Sequence, residues 1–262
     1  MPADGVVGAI LGDLVGSVHE SRWRKVPDRQ FPFLTEESRF TDDTVLTIAV
    51  AEAVRLNVDF AEPIARWANR YPHAGFGGMF RSWMASADRQ PYNSFGNGSA
   101  MRVSPVAYAS DDLETVLALA AASAVVTHDH PEGIKGAQAI AGAILIARSG
   151  GKSDDITDLV AGRFDYDLSR SVETWRSETT FDVTCQGTVP AAVQAFLEAS
   201  DLESAIRNAV YIGGDADTLA AIAGSIAGAA YGVTPDQRSA VLGHLRDDLT
   251  TELNAFESSE PT

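Results

Sequence analysis

The 262-residue chain is short of cysteine and short of positive charge. Its one cysteine, Cys185, cannot close an intramolecular disulfide or build a multi-cysteine zinc site. Lys and Arg total 20 against 36 Asp and Glu, a formal net charge of −16. A phosphate-tracking nucleic-acid binder needs a basic surface to release counterions, so general nucleic-acid binding is excluded. The N-terminal MPADGVVGAIL has no basic segment ahead of its apolar stretch, so no secretory signal is read there and the cytoplasm is the expected location. Long apolar runs are scarce too. Residues 218–234 are uncharged over 17 positions, near the lower limit for a membrane span, but they are mostly Ala and Gly and follow two aspartates. A buried helix fits that run better, and no membrane association is expected. With 45% hydrophobic and 21% charged residues, wholesale disorder is excluded as well.

What is present is helical periodicity. Apolar residues at helical spacing, with acids at the start, predict helices over 41–56, 111–126, 131–151, 191–199, 202–210, 215–231 and 235–253, with a weaker one over 153–164. Strand signals are weak, which makes the expected fold all-α, in one domain spanning residues 1–262 with a core at about 5–253. Residues 257–262 are expected to fray, and a monomer is the default. The stretch 152–188 is the most irregular part, yet it lacks the composition of a linker. Gly8, Gly12 and Gly16 recur every four residues, as do Gly224, Gly228 and Gly232. Both stripes suit close helix packing, and neither belongs to a Walker-type phosphate loop.

Three polar constellations stand out. Thr41-Asp42-Asp43-Thr44 and Asp215-Ala216-Asp217-Thr218 each open a predicted helix, the second behind Gly213-Gly214. Helix capping needs one such oxygen, and each cluster supplies three or more. If the two helix starts meet, four carboxylates converge and must take up protons or bind cations; hard oxygens without Cys or His suit Mg²⁺, Mn²⁺ or Ca²⁺. Capping and cation binding both remain open on spacing alone. The segment Ser94-Phe95-Gly96-Asn97-Gly98-Ser99-Ala100-Met101-Arg102 can turn its backbone N–H groups outward as an anion cradle, aided by a helix expected to start near Ser99, or can be a plain Asn-Gly turn. Thr127-His128-Asp129-His130 precedes Pro131 and reads either as a polar loop or as a turn presenting one imidazole to a ligand. Cys185 has no base in view to make it a nucleophile.

In order, Gly8-Ala9-Ile10-Leu11-Gly12-Asp13 with Gly16 and Glu20, Phe40-Thr41-Asp42-Asp43-Thr44, the segment from Ser94 to Arg102, Thr127-His128 and Gly213-Gly214-Asp215-Ala216-Asp217-Thr218 resemble the signature of the ADP-ribosylglycohydrolases. That family includes the dinitrogenase reductase-activating glycohydrolase and the eukaryotic ADP-ribosyl-acceptor hydrolases, and the resemblance spans about residues 5–232. It implies an orthogonal helix bundle and two Mg²⁺ or Mn²⁺ ions held by Thr41, Asp42, Asp43, Asp215, Asp217 and Thr218. It also implies a catalytic centre formed by Glu20, Asp42 and Asp217. Gly75 and Gly77 of Gly75-Phe76-Gly77-Gly78 match a loop that approaches the substrate's diphosphate and ribose. Phe95, Gly96, Asn97, Gly98, Ser99 and Met101 match the loop that cradles the diphosphate, with His128 beside it. The implied reaction cleaves the C1″ glycosidic bond of an ADP-ribosylated protein or small conjugate through an oxocarbenium-like state, with Glu20 activating water or managing the leaving group's proton. The rival readings are a non-catalytic ADP-ribose-binding or crystallin-like relative and a metal-dependent phosphoesterase. Retention of Glu20 and both acidic clusters favours the glycosidic hydrolase. The acceptor side is expected in residues 21–37 and 71–92.

Overall fold

The structure is a computed structural model that describes residues 2–21 and 24–259. Among these, fourteen α-helices form and no β-strand does. In chain order they are α1 (Asp4–Gly16), α2 (Asp42–Leu56), α3 (Ala61–Arg70), α4 (Gly78–Ala85), α5 (Gly98–Met101), α6 (Leu113–Val125) and α7 (Pro131–Arg148). There follow α8 (Ser153–Thr157), α9 (Val172–Glu178), α10 (Cys185–Leu197), α11 (Leu202–Ile212), α12 (Ala216–Tyr231), α13 (Pro235–His244) and α14 (Asp247–Ser258). A 3₁₀ turn at Ser104–Tyr108 and a π turn at Asp158–Arg163 complete them. Isolated bridges join Ser21 to Gly214 and Gly96 to Thr184. No helix of the described residues is long and apolar enough to cross a membrane.

Two helices without much side-chain bulk make the central contact. α1 and α12 run antiparallel and form the most extensive helix pair of the fold. A methyl built on Gly8 would stand 2.2 Å from the Gly224 carbonyl oxygen, and one on Gly12 would stand 2.0 Å from that of Ala220. Backbones this close exclude any side chain, which explains Gly8, Gly12, Gly16, Gly224 and Gly228 as architecture; Gly232 instead stands just past α12 at φ +80° and ends that helix. The register also brings the C-terminal end of α1 to the N-terminal end of α12, with Gly16 against the Asp217 backbone.

The bundle departs from the periodicity reading in several places. The helix expected over 235–253 is two: Leu245 and Arg246 are extended (ψ 154° and 157°), and Asp247 with Asp248 open a new first turn, where acids suit the helix dipole. Glu257 and Ser258 lie within α14 rather than in a frayed tail. Glu257 accepts the Ala3 N–H at 3.1 Å and pairs with Arg238 at 2.8 Å, tying the two ends of the chain together. Residues 260–262 lie outside the described ones. α10 starts at Cys185, six residues before the expected 191, because Thr184 caps the Gly187 N–H and the helix runs on through Pro190. α3 was hidden by Pro63, which sits in its first turn, where a missing N–H costs nothing. The helix expected from Ser99 is the single turn α5, too short to carry much dipole. The irregular stretch 152–188 holds α8, the π turn and α9.

Candidate active site

The α1–α12 register puts a fully buried carboxylate, Asp13, behind the start of α2. Asp13 Oδ1 accepts the Thr41 hydroxyl at 2.7 Å, and Oδ2 accepts the backbone N–H groups of Thr41 (2.9 Å) and Thr44 (3.1 Å) together with the Thr44 hydroxyl. Four donors saturate this one side chain, so it fixes the start of α2 against α1. Thr41 caps α2 by accepting the Asp43 N–H at 3.3 Å. Asp42 donates its N–H to the Ala74 carbonyl at 2.8 Å, which draws the Gly75 turn over the cluster. In the turn between α11 and α12, Gly213 and Gly214 take φ of +82° and +88°, backbone that glycine adopts without strain. The Ser21 N–H donates to the Gly214 carbonyl at 3.1 Å and so holds the neighbouring Glu20 near this turn.

Five carboxylates, from α1, the turn after it and the starts of α2 and α12, therefore meet. Asp13, Asp43 and Asp217 offer carboxylate oxygens within 4.8 Å of one another, and so do Glu20, Asp215 and Asp217. Capping accounts for Thr41 but not for this convergence: Asp215 stands at the N-cap of α12 and makes no capping hydrogen bond. Its Oδ2 accepts the Asn97 amide at 2.6 Å instead. Burial, then the neighbouring carboxylates, push Asp42 up to about 8. Burial and Asp13 carry Asp217 up to about 6, and burial followed by Asp217 raises Asp43 and Asp215 well above the usual carboxylate range. Asp43 Oδ1 is buried without any hydrogen-bond partner. Buried carboxylates this close hold protons or share cations, and an orphaned oxygen among hard donors fits a divalent ion with oxygen preference.

Opposite the acids lies the glycine loop. Asn97 donates its backbone N–H to Val183 (2.8 Å) and its side-chain amide to Thr188 (3.0 Å) as well as to Asp215. The Cys185 N–H bonds the Phe95 carbonyl at 3.0 Å, and its thiol donates to the Gly96 carbonyl at 3.1 Å. Burial pushes that thiol up to about 12, so Cys185 is a packing residue under the loop. Between the acids and the loop is a cleft of about 610 Å³.

The match to the ADP-ribosylglycohydrolase family model covers residues 3–257. The chain belongs to the ADP-ribosylglycohydrolase family. It is 27% identical to ADP-ribosylhydrolase ARH3 of Bos taurus, over 87% of this chain and 84% of that protein. It is 24% identical to ADP-ribosylarginine hydrolase Tri1 of Pseudomonas putida (strain GB-1), over 87% of this chain and 70% of that protein. A solved structure described as an ADP-ribosylglycohydrolase-related protein complex superposes with a TM-score of 0.72 at 27% identity, covering 97% of both chains. The all-α architecture is that of the ADP-ribosylglycohydrolase fold.

Against the family signature read from the sequence, the structure gathers Glu20, Thr41, Asp42, Asp43, Asp215, Asp217 and Thr218 on one side of the cleft. Gly75, Gly77, Gly96, Asn97, Gly98, Met101 and His128 line it as well. Phe95 and Ser99 do not. Phe95 is 46% exposed, with its ring edge-on to His130 at 5.4 Å, and Ser99 is fully buried with its hydroxyl on the Gly133 carbonyl. His130 caps α7 by accepting the Glu132 N–H, leaving His128 as the imidazole that faces the cleft. Asp13 was missed as a functional residue because a carboxylate inside a glycine-striped helix reads as one polar position on an apolar face. The stripes carried the signal, since aligning them antiparallel sets Asp13 beside the α12 acids. Arg39, His73, Tyr92 and Arg102 also line the cleft, and no spacing rule singles them out.

Proposed function

We propose that this member of the family hydrolyses the C1″ glycosidic bond of ADP-ribosylated acceptors, a protein side chain or a small conjugate, and releases ADP-ribose. The observation that carries the reading is the buried Asp43 oxygen without a partner, set among carboxylates that face a glycine loop across a single cleft. Thr41, Asp42, Asp43, Asp215, Asp217 and Thr218 would hold two Mg²⁺ or Mn²⁺ ions. Bound there, such ions supply positive charge that orients ribose hydroxyls and makes a water nucleophilic at neutral pH. The chain's own groups do the rest. Gly96 and Gly98, without side chains, let neutral backbone approach the diphosphate across the cleft from the acids, while Asn97, its N–H on Val183 and its amide on Asp215, fixes the loop. Gly75, turned over Asp42 at φ +117°, lets the backbone approach the ribose closely. Glu20 is the exposed carboxylate of the group, suited to exchange a proton with water or with the departing acceptor.

The test presents arginine-linked, serine-linked, polymeric and nucleic-acid-linked ADP-ribose side by side with Mg²⁺ and measures the released product. Intact ADP-ribose from at least one substrate is expected, lost in chelator and reduced on the order of a hundredfold or more in Asp217→Asn. AMP as product would mean phosphoester cleavage. Tight ADP-ribose binding with no release from any conjugate would mean a binding protein.

A further inference from the structure

One charge in the cleft has no counter-charge. Arg102 is fully buried, and no carboxylate among the described residues pairs with it. Its Nη2 donates to the Ser123 carbonyl at 2.9 Å and to the Thr127 hydroxyl at 3.0 Å, while Nε and Nη1 are buried without hydrogen-bond partners. A buried guanidinium held only by neutral acceptors is costly, and in a protein of net charge −16 it is the opposite of what composition suggests. Its place explains its retention. The Thr127 hydroxyl that accepts from Arg102 lies 2.7 Å from His128 Nδ1, and His128 Nε2 lies under the glycine loop, 3.1 Å from where a Gly98 methyl would sit.

The buried charge sets the direction of this chain of contacts. A guanidinium only donates, so Thr127 turns a lone pair toward Arg102. The Tyr92 hydroxyl also interacts with Thr127, and as both donor and acceptor it can serve either remaining position of that oxygen. With the Arg102 cation on the Thr127 side of the ring, the favoured arrangement turns the Nδ1 lone pair toward that charge, so Thr127 gives its hydrogen to Nδ1. A neutral imidazole with a bare Nδ1 carries its hydrogen on Nε2, the nitrogen facing Gly96 and Gly98. Burial, and after it the Arg102 charge, hold His128 well below the usual imidazole range, which keeps the ring neutral.

We propose that Arg102 and Thr127 are positioning residues that lock His128 as the neutral Nε2–H tautomer, making its ring a fixed hydrogen-bond donor to a phosphate group on the glycine loop. The charge stays one residue removed from the ligand and reaches it as a polarised donor. This rests on the reading of the loop at residues 96–98 as a phosphate cradle, so the test reads the ring and the ligand separately.

Histidine-ring ¹⁵N spectra of the intact protein are assigned by the signal lost in His128→Gln. A protonated Nε2 and a bare Nδ1 are expected, still neutral at pH values where an exposed imidazole is already charged. Inorganic pyrophosphate should shift the Nε2 signal. Thr127→Val keeps the shape and removes the hydroxyl: both nitrogens should then average between tautomers, and ADP-ribose affinity should fall about tenfold with adenosine affinity unchanged. Thr127→Ser should restore both. An Nδ1–H or charged ring in the wild type overturns the proposal, as does Thr127→Val with full ADP-ribose affinity or an Nε2 signal indifferent to pyrophosphate. If pyrophosphate moves Nε2 and ADP-ribosylated substrates are nevertheless untouched, the proposed activity fails and the relay stands.

Discussion

The two walls of the cleft are built on opposite electrical plans. One wall is the meeting of α1, α2 and α12, where Asp13, Asp42, Asp43, Asp215 and Asp217 are packed into apolar surroundings with raised affinity for protons or cations. The other is the glycine loop with His128 and Arg102, neutral or positive throughout, and all its loop glycines lack carboxylate neighbours. Asn97 joins them, its amide on Asp215 and its backbone in the loop. A net charge of −16 describes neither wall. The excess acid is mostly solvated surface, and the site depends on where a few acids are concentrated and where they are withheld.

The largest consequence of that difference is a stability that metal and pH should move together. On the acid wall the folded-state affinities for protons are raised, so the fold binds more protons than the unfolded chain between the ordinary aspartate value and the raised ones. That contribution is present at low pH and is lost as pH rises through about 6 for Asp217 and about 8 for Asp42. In chelator, the acid wall should therefore lower the melting temperature as pH climbs from about 5 to about 8. Saturating Mg²⁺ should hold it up, opening a gap on the order of 10 °C at the upper end. Calorimetric melts in both buffers measure it. A gap that closes with rising pH would dismantle the contrast between the walls.

Much of this was legible because helix chemistry is local. The starts at Thr41 and Asp215 were visible as caps and first-turn acids, and the glycine stripes as close packing. What the sequence hid was long-range. Asp13 is 28 residues from Thr41, and only the antiparallel α1–α12 contact brings it beside Asp217. Arg102 reads as the tail of the loop motif, because burial without a counter-charge leaves no trace in spacing. Phe95 reads as a cradle residue from its place in the loop, and nothing in the sequence signals that its ring stands edge-on to His130. The helix break at Leu245-Arg246 was obscured because apolar spacing continues across it into Leu249 and Leu253.

The acid wall should respond to a change that leaves all six proposed ligands from the starts of α2 and α12 in place. Asp13→Asn keeps the size but offers one acceptor oxygen where four donors converge, so Thr41 and Asp43 lose their fixed placement. Mg²⁺ affinity should weaken about 10- to 100-fold, with turnover recovered at high Mg²⁺. Titration calorimetry beside an activity assay separates the two. Wild-type affinity in this variant would mean that α2 is held by α1 packing alone and that Asp13 is only a buried acid.

The smallest contrast lies within one loop. Gly75 holds φ at +117°, and a methyl there would sit 2.9 Å from Asp42 Oδ1, so Gly75→Ala both strains the backbone and crowds a carboxylate of the acid wall. Gly77, two residues on, has φ of −61° and nothing within 4 Å of its would-be methyl. Gly75→Ala should cost about 1–2 kcal/mol in stability and weaken Mg²⁺ binding, because the turn cannot close over Asp42 without moving it. Gly77→Ala should stay within about 0.5 kcal/mol of the wild type and bind Mg²⁺ normally. Denaturant melts and Mg²⁺ titrations of the pair decide the matter. Equal behaviour would show that the loop bears on the ligand alone, and that the acid wall is shaped entirely by its helices.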